Sequence, residues 1–118
     1  MGTFKDLLIW QKSIELVTQI YSETKDFPAE EQYGLTSQIR RASISIPSNI
    51  AEGYGRSGKN DYLRFLNIAM SSLFELQTQL EISKNLNFLN KEKFEVIFEN
   101  TREIERMLAS YIRKIKIS

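Results

Sequence analysis

The side chains this sequence offers for chemistry are carboxylates, guanidinium and ammonium groups, hydroxyls and phenols; it contains neither cysteine nor histidine. That removes disulfides, thiolate nucleophiles, Cys/His zinc sites and every imidazole acid–base mechanism. The neighbouring carboxylates Glu30/Glu31 and Glu103/Glu105 are too close in sequence to face each other across a cleft, and solvated helix faces account for them. A di-iron centre in a helical bundle requires Glu-x-x-His, which the chain cannot supply. Glu52 alone has an unusual setting, after a proline-containing segment and before Gly53. An ion pair with Arg40 or Arg56 accounts for it, and magnesium held by carboxylates is the one metal chemistry left open. No catalytic set and no cofactor site emerges, so the expectation is a non-enzymatic protein without a cofactor.

The basic residues form a second constellation. Arg40, Arg41, Arg56, Lys59 and Arg64 gather in the middle of the chain with Tyr54 and Tyr62 interleaved, the mixture a base-stacking surface needs. Glu52 and Asp61 lie among them, and helical phase sends Arg40 and Arg41 to different sides. With 16 basic and 15 acidic residues the net charge is only +1, a weak invitation to nucleic acid unless assembly concentrates a local patch. A solvated, salt-bridged face is the first reading of these residues and a nucleic-acid site the alternative.

The elements that position these side chains read as helices. Two prolines, five glycines and little Val or Thr in 118 residues argue against a β fold. The length suits one domain, residues 1–118. The apolar run Leu7-Leu8-Ile9-Trp10 is far too short to span a bilayer, no signal peptide is evident, and a cytoplasmic home without membrane contact is the expectation.

The chain is organised around Leu35 to Arg56. At a helical period, Leu35, Ile39, Ala42, Ile46, Ile50 and Gly53 share one face, a core stripe. Ile44, Pro47 and Ala51, with Arg40 beside them, form a smaller apolar group opposite. The second helix is therefore expected to bury one face in its own chain and one against a partner. Pro47 has no N–H and clashes with the Ser43 carbonyl, so the helix should kink there, its freed carbonyl patched by Ser45, Ser48 or Asn49. Gly53-Tyr54-Gly55-Arg56-Ser57-Gly58 reads as a glycine stop and turn; it follows no strand and lacks the ending of a phosphate loop.

After a lead-in over Met1 to Lys5, a first helix capped by Asp6 runs to about Lys25. Leu7, Trp10, Ile14, Val17 and Tyr21 are expected in its core, with Ile9, Leu16 and Ile20 as a flanking stripe that serves either a second neighbour within the bundle or an oligomer face. A third helix runs from about Lys59 to Leu86, capped by Ser57 or Asn60. Its Ala69-Met70-Ser71-Ser72 run permits close approach of a neighbour, and Ile68 and Ile82 lie off its core face. A fourth, capped by Asn90, runs from Lys91 to about Ile115. Its stripe is Phe94, Ile97, Thr101, Ile104, Leu108, Tyr111, Ile112 and Ile115, with Glu99–Arg102 and Glu103–Arg106 spaced for surface pairs. Four such helices joined by short loops predict an all-α, antiparallel up-down-up-down four-helix bundle with a proline-kinked second helix.

Several segments together carry a family resemblance. Phe4-x-Asp6-Leu7-x-x-Trp10-Gln11-Lys12, Phe27-Pro28, Tyr33-Gly34-Leu35-Thr36-Ser37-Gln38-Ile39-Arg40-Arg41-Ala42, Arg64-Phe65-Leu66 and above all Ser45-Ile46-Pro47-Ser48-Asn49-Ile50-Ala51-Glu52-Gly53 resemble the bacterial proteins encoded in intervening sequences of 23S ribosomal RNA genes. The match covers nearly the whole chain, with Ser45, Pro47, Asn49, Glu52 and Gly53 as its motif. The resemblance implies a four-helix bundle assembled as a ring-like homopentamer, which suits the surplus apolar groups Ile9, Leu16, Ile20, Ile44, Pro47 and Ala51. It supplies no activity. A related branch, the accessory proteins of diversity-generating retroelements, acts with a reverse transcriptase and nucleic acid; those proteins are markedly basic, and this chain departs from them. The expected function is thus a homo-oligomeric scaffold or adaptor for a protein or ribonucleoprotein partner; the alternative is an RNA- or DNA-binding bundle using Arg40, Arg41, Arg56, Lys59, Arg64 and the basic C-terminus.

Overall fold

A computed structural model describes residues 2–118; Met1, the first residue of the expected lead-in, lies outside the described residues. The fold consists of α1 (Leu8–Thr24), α2 (Leu35–Tyr54), α3 (Lys59–Asn85) and α4 (Lys91–Ile117), with single 3-10 turns at Phe4–Asp6 and Ala29–Glu31 and no strand among the described residues. Each helix packs on its sequence neighbours, and α1 closes the ring against α4.

Cross-helix contacts set the directions. Arg40, early in α2, donates from Nε to Thr24 Oγ1 at the end of α1 (2.9 Å). Gly53, late in α2, abuts Tyr62 and Phe65 early in α3. The Tyr62 and Tyr111 hydroxyls meet at 2.8 Å, joining the start of α3 to the end of α4, while Lys84 near the other end of α3 lies 4.2 Å over the Phe94 ring. Consecutive helices are therefore antiparallel, as the short loops predict. The bundle measures 45 × 24 × 22 Å, in keeping with about 1.5 Å of rise per residue along its long helices.

All four helices feed one core, in which Ile20, Ile39, Ile46, Ile50, Leu66, Leu73, Leu76, Leu80, Ile97, Ile104 and Leu108 are almost wholly excluded from solvent. Burying each such side chain contributes about 1.5–3 kcal/mol. In α4 the expected stripe is buried from Phe94 to Ile112, with Tyr111 and Ile115 packed at its border. In α2, Ile39, Ala42, Ile46, Ile50 and Gly53 are buried as expected.

The phase of α1 is turned from the expected one: Leu7 and Trp10 still pack against the core, but the buried centre lies on the flanking stripe, as the reading with two neighbours in the bundle has it. Ile9, Leu16 and Ile20 are 5, 2 and 1% exposed, so they belong to the chain's own core and are not available to a partner. Ile14 and Tyr21, expected inside, are exposed. The cause lies in two hydroxyls: Ser13 Oγ donates to Ile9 O (2.6 Å) and Thr24 Oγ1 to Ile20 O (2.7 Å). A hydroxyl bonded to the preceding turn enters a core with its hydrogen bond made. The buried stripe Ile9–Ser13–Leu16–Ile20–Thr24 is therefore helical in period but not uniformly apolar. Pro47 also moves inward and is buried beside Ser43, and Ala51 is half-buried; of that group only Ile44 stands clear, 41% exposed.

Several termini differ from their expected form. Asp6 accepts from Thr3 N (2.9 Å) to cap the short N-terminal turn, and Leu7 precedes α1. Gly58, with no side-chain cap, precedes α3 in place of Ser57 or Asn60. Asn90 caps α4 as predicted, Oδ1 accepting from Lys93 N (2.8 Å). No described glycine has a positive φ, so the glycine-rich turn does not end α2 through left-handed backbone; Asn87 adopts that conformation, at φ 63°, between α3 and α4. The α4 charges pair as Arg106–Glu99 (2.9 Å) and Arg102–Glu105 (2.8 Å), while Glu103 reaches Lys12 of α1 (3.3 Å). The side-chain directions select these pairs over the sequence spacing. Such exposed pairs contribute about 0–1 kcal/mol each.

Candidate interaction surface

The two sides of the bundle differ in charge. α4 and its border with α1 carry a dense set of surface ion pairs. By contrast α2 has no charge from Ala42 to Ala51, and α3 has only Glu75 from Phe65 to Leu80. On this quiet side Ile44, Ile68 and Ile82 are 41, 38 and 42% exposed. A lone exposed apolar residue is ordinary; several on adjoining faces of two packed helices that otherwise lack charge describe an interaction surface. Ile68 and Ile82 are where sequence periodicity puts them.

The seam between α2 and α3 runs through this face. Ser45 Oγ meets Ser72 Oγ at 2.8 Å. Asn49 Nδ2 donates to Ser45 O (2.8 Å) and Ser45 Oγ (2.9 Å), so it holds that contact and does not patch the Ser43 carbonyl released by Pro47. One turn on, a Cβ added to Gly53 would stand 2.8 Å from Phe65 Cβ and 2.9 Å from Tyr62 Cδ1. Ser45, Asn49 and Gly53 are thus one stripe, four residues apart, whose small or hydrogen-bonded side chains let α3 come close. Ser72 and Ala69 are the small residues that answer them. Gly53 is not a helix stop: α2 continues to Tyr54. Within the motif, Ile46, Pro47 and Ile50 face inward and Glu52 pairs with Arg56 (3.0 Å). The repeated spacing of four is present in the sequence, and it is the signal from which this seam could be found.

Beside Ile44 a groove of about 500 Å³ opens between α1 and α2, lined by Tyr21, Gln32, Tyr33, Thr36, Ser37, Arg40, Arg41 and Ile44. None of these residues is acidic. The Arg40 guanidinium lies 4.5 Å over the Tyr21 ring, and Tyr33 is 90% exposed. Tyrosine and arginine around an aliphatic centre is the composition that dominates protein interfaces.

The basic residues do not converge. Arg56 binds Glu52 and lies 4.9 Å over the Phe65 ring. Arg64 approaches Asp61 at 3.5 Å and covers the same ring at 4.4 Å. Lys59 Nζ donates to the carbonyls of Lys116 (3.3 Å) and Ser118 (3.0 Å). These three are engaged at the α2–α3 turn, roughly 24 Å along α2 from Arg40 at 1.5 Å per residue. Arg40 is held by Thr24 and Tyr21. Arg41 alone of the five has no side-chain hydrogen bond, ion pair or aromatic partner among the described residues. A continuous cationic track within one chain is therefore absent among the described residues.

Two polar details complete the surface. Gln79 Nε2 donates to Glu75 Oε2 (3.2 Å), which leaves Gln79 Oε1 buried without a donor; an orphan of this kind costs about 1–3 kcal/mol. At the far end of the bundle, burial and then the Tyr111 hydrogen bond raise the pKa of Tyr62 well above the ordinary phenol value. Among the described residues no group of three or more acidic side chains is placed to hold a metal ion, and no helix is long and apolar enough to cross a membrane.

The fold is shared with a protein of unknown function from the S23 ribosomal protein family of Bacteroides thetaiotaomicron VPI-5482. Its crystal structure matches with a TM-score of 0.80 and 27% sequence identity, over 89% of this chain and 98% of that one. No curated protein matches the sequence. The family model for the 23S rRNA-intervening sequence protein matches residues 5–110. That span takes in α1, α2, α3 and all but the last turns of α4, including the whole Ser45–Gly53 seam, and the chain belongs to the 23S rRNA-intervening sequence protein family.

Proposed function

We propose that this protein is a non-enzymatic scaffold that assembles with copies of itself through the outer face of α2 and α3 and presents the assembled surface to a protein or ribonucleoprotein partner in the cytoplasm. The observation that carries the reading is the pairing of a charge-poor face with Ile44, Ile68 and Ile82 exposed on it. The interface is smaller than the sequence suggested, since Ile9, Leu16, Ile20 and Pro47 serve the core. Resemblance to ring-forming relatives sets the expected copy number at five. A nucleic-acid role is the second reading, favoured by one feature: the Arg40/Arg41 groove has no acidic residue in its lining, and a ring would repeat it around one axis.

Native mass spectrometry of the purified protein, with the absorbance ratio at 260 and 280 nm read on the same sample, tests both. A clean multimer supports the scaffold. A multimer carrying nuclease-sensitive mass, with binding that weakens steeply in salt, puts nucleic acid first. A monomer at micromolar concentration overturns self-assembly.

A further inference from the structure

Arg40 and Arg41 point about 100° apart around α2, yet both line the groove between α1 and α2. Arg40 is fixed in place, with Nε donating to Thr24 Oγ1 (2.9 Å) and the guanidinium 4.5 Å over the Tyr21 ring. Its terminal nitrogens and the whole Arg41 guanidinium donate to no group among the described residues. Two acids of the same end of the bundle are engaged elsewhere: Glu31 Oε1 accepts from Leu35 N (3.1 Å), and Glu23 lies 3.4 Å from Lys93. Glu75, across the α2–α3 seam, lines a different groove and accepts from Gln79. One lining thus holds two cations and no anion, together with Tyr21, Ile44 and the 90% exposed Tyr33.

We infer that this groove docks a short acidic segment of a partner protein, its carboxylates bridging Arg40 and Arg41 and a neighbouring apolar side chain resting on Tyr21 and Ile44. The inference rests on the partner half of the scaffold reading and names the partner's chemistry. It requires no second copy, because the groove lies on the α1 side of Ile44 and the assembly face on the α3 side. Charge selects the acidic occupant. Guanidinium forks pair carboxylates in a bidentate geometry, whereas a neutral or basic segment would cover two cations without a counter-charge, which is strongly unfavourable. Extent selects a peptide over nucleic acid. A single strand carries a phosphate on every nucleotide and needs a cationic groove that tracks it. Beyond Arg41, α2 has no cation, and the next one in the chain, Arg56, is paired with Glu52; on the other side Glu30 and Glu31 stand in the turn before α2. Openness selects a protein segment over a small molecule. A small ligand needs most of its surface enclosed, which this open groove of about 500 Å³ does not provide, while a segment held by a larger protein needs only its side chains seated.

The test is fluorescence anisotropy on the full chain with fluorescein-labelled dodecapeptides of Gly and Ser. Each carries a central Leu, Ile, Phe or Tyr flanked by paired Glu, paired Gln or paired Lys, and a labelled oligothymidylate of the same length is measured beside them. The expected result is that the Glu peptides bind at least about tenfold more tightly than the Gln and Lys peptides and more tightly than the oligothymidylate. R41Q should lose about tenfold of that affinity, and R41E should abolish the preference for Glu over Gln, with circular dichroism verifying that both remain helical. If either substitution disturbs folding, Tyr33→Ser, at a 90% exposed position, replaces it and must weaken the Glu peptides. Equal binding of Glu and Gln peptides, no binding of any Glu peptide, or a preference that these variants leave intact overturns the inference. Tighter binding of the oligothymidylate, lost in R41Q, overturns it in favour of nucleic acid. Native mass spectra of the same samples keep the two readings apart: a monomeric wild type that shows the Arg41-dependent preference sinks self-assembly alone, and a multimer without the preference sinks this inference alone.

Discussion

Gly53 and Phe65 pack so closely that a Cβ on the glycine would lie 2.8 Å from the Cβ of the phenylalanine. Neither atom is the tip of a flexible chain, so α2 and α3 must separate to admit a methyl group. Gly53→Ala gains about 1 kcal/mol in helix propensity and loses about 1–3 kcal/mol to overpacking. The loss should prevail, because the opposing Tyr62 backbone carbonyl is also close, at 3.3 Å. Thermal denaturation should show Tm lower by several degrees; an unchanged or higher Tm would refute the close-approach account of this glycine.

Pro47 sits inside α2 and is buried. Pro47→Ala restores an N–H toward the Ser43 carbonyl and should raise stability. The gain should fall short of the ~3 kcal/mol propensity gap, because the ring's packing is lost. If the proline bends α2 and so shapes the outer face, assembly weakens while stability rises. Denaturant melts paired with native mass spectra separate the two effects, and no change in either leaves the proline without an architectural role.

Ile44 and Ile20 should behave oppositely. Ile44→Asp, at an exposed site, should keep the helical spectrum and a stability within about 0.5 kcal/mol of wild type while dissociating the assembly. Ile20→Ala removes a core side chain and should cost about 2–5 kcal/mol whether or not the chain assembles. An Ile44→Asp protein of undiminished oligomer mass removes α2 from the interface.

Tyr62 gives a pH dependence with a definite sign. Its folded pKa is raised, first by burial and then by the Tyr111 hydroxyl, while an unfolded tyrosine ionises near 10. The native state therefore holds this proton more tightly. Its contribution to stability is complete below about pH 10 and is lost as pH rises from there toward the folded value. Absorbance titration at 295 nm should show one phenol ionising only as helix is lost, and Tyr62→Phe should remove that phase. A wild-type titration in which every tyrosine ionises before unfolding would contradict the burial of this hydroxyl.

Much of the fold is legible in the residues. The apolar period of α2 and α4, the Asn90 cap and the off-core positions of Ile68 and Ile82 all follow from local rules that tertiary packing does not override. α1 departs from its apolar period because Ser13 and Thr24 are polar by type but self-satisfied by geometry. Their hydroxyls bond the preceding turn, and only the folded helix shows that they travel inward with Ile9, Leu16 and Ile20. Gly53 departs from its expected role for a related reason. A glycine near a helix end is commonly a cap, and the partner that requires it here, Phe65, is twelve residues away on another helix.

Composition and short-range periodicity were enough for the helical class, the approximate helix limits, the absence of cysteine and histidine chemistry, and membership of a recognisable motif family. These are properties that act within one or two turns of chain. The tertiary structure alone decided which apolar stripe of α1 is core, that the Ser45–Gly53 motif is a helix–helix seam, that the five basic residues are dispersed, and that Arg40 and Arg41 line one groove without an acidic side chain. Those are relations between helices, set by crossing geometry and the rotamers it allows; only the seam leaves a local trace, the spacing of four through Ser45, Asn49 and Gly53.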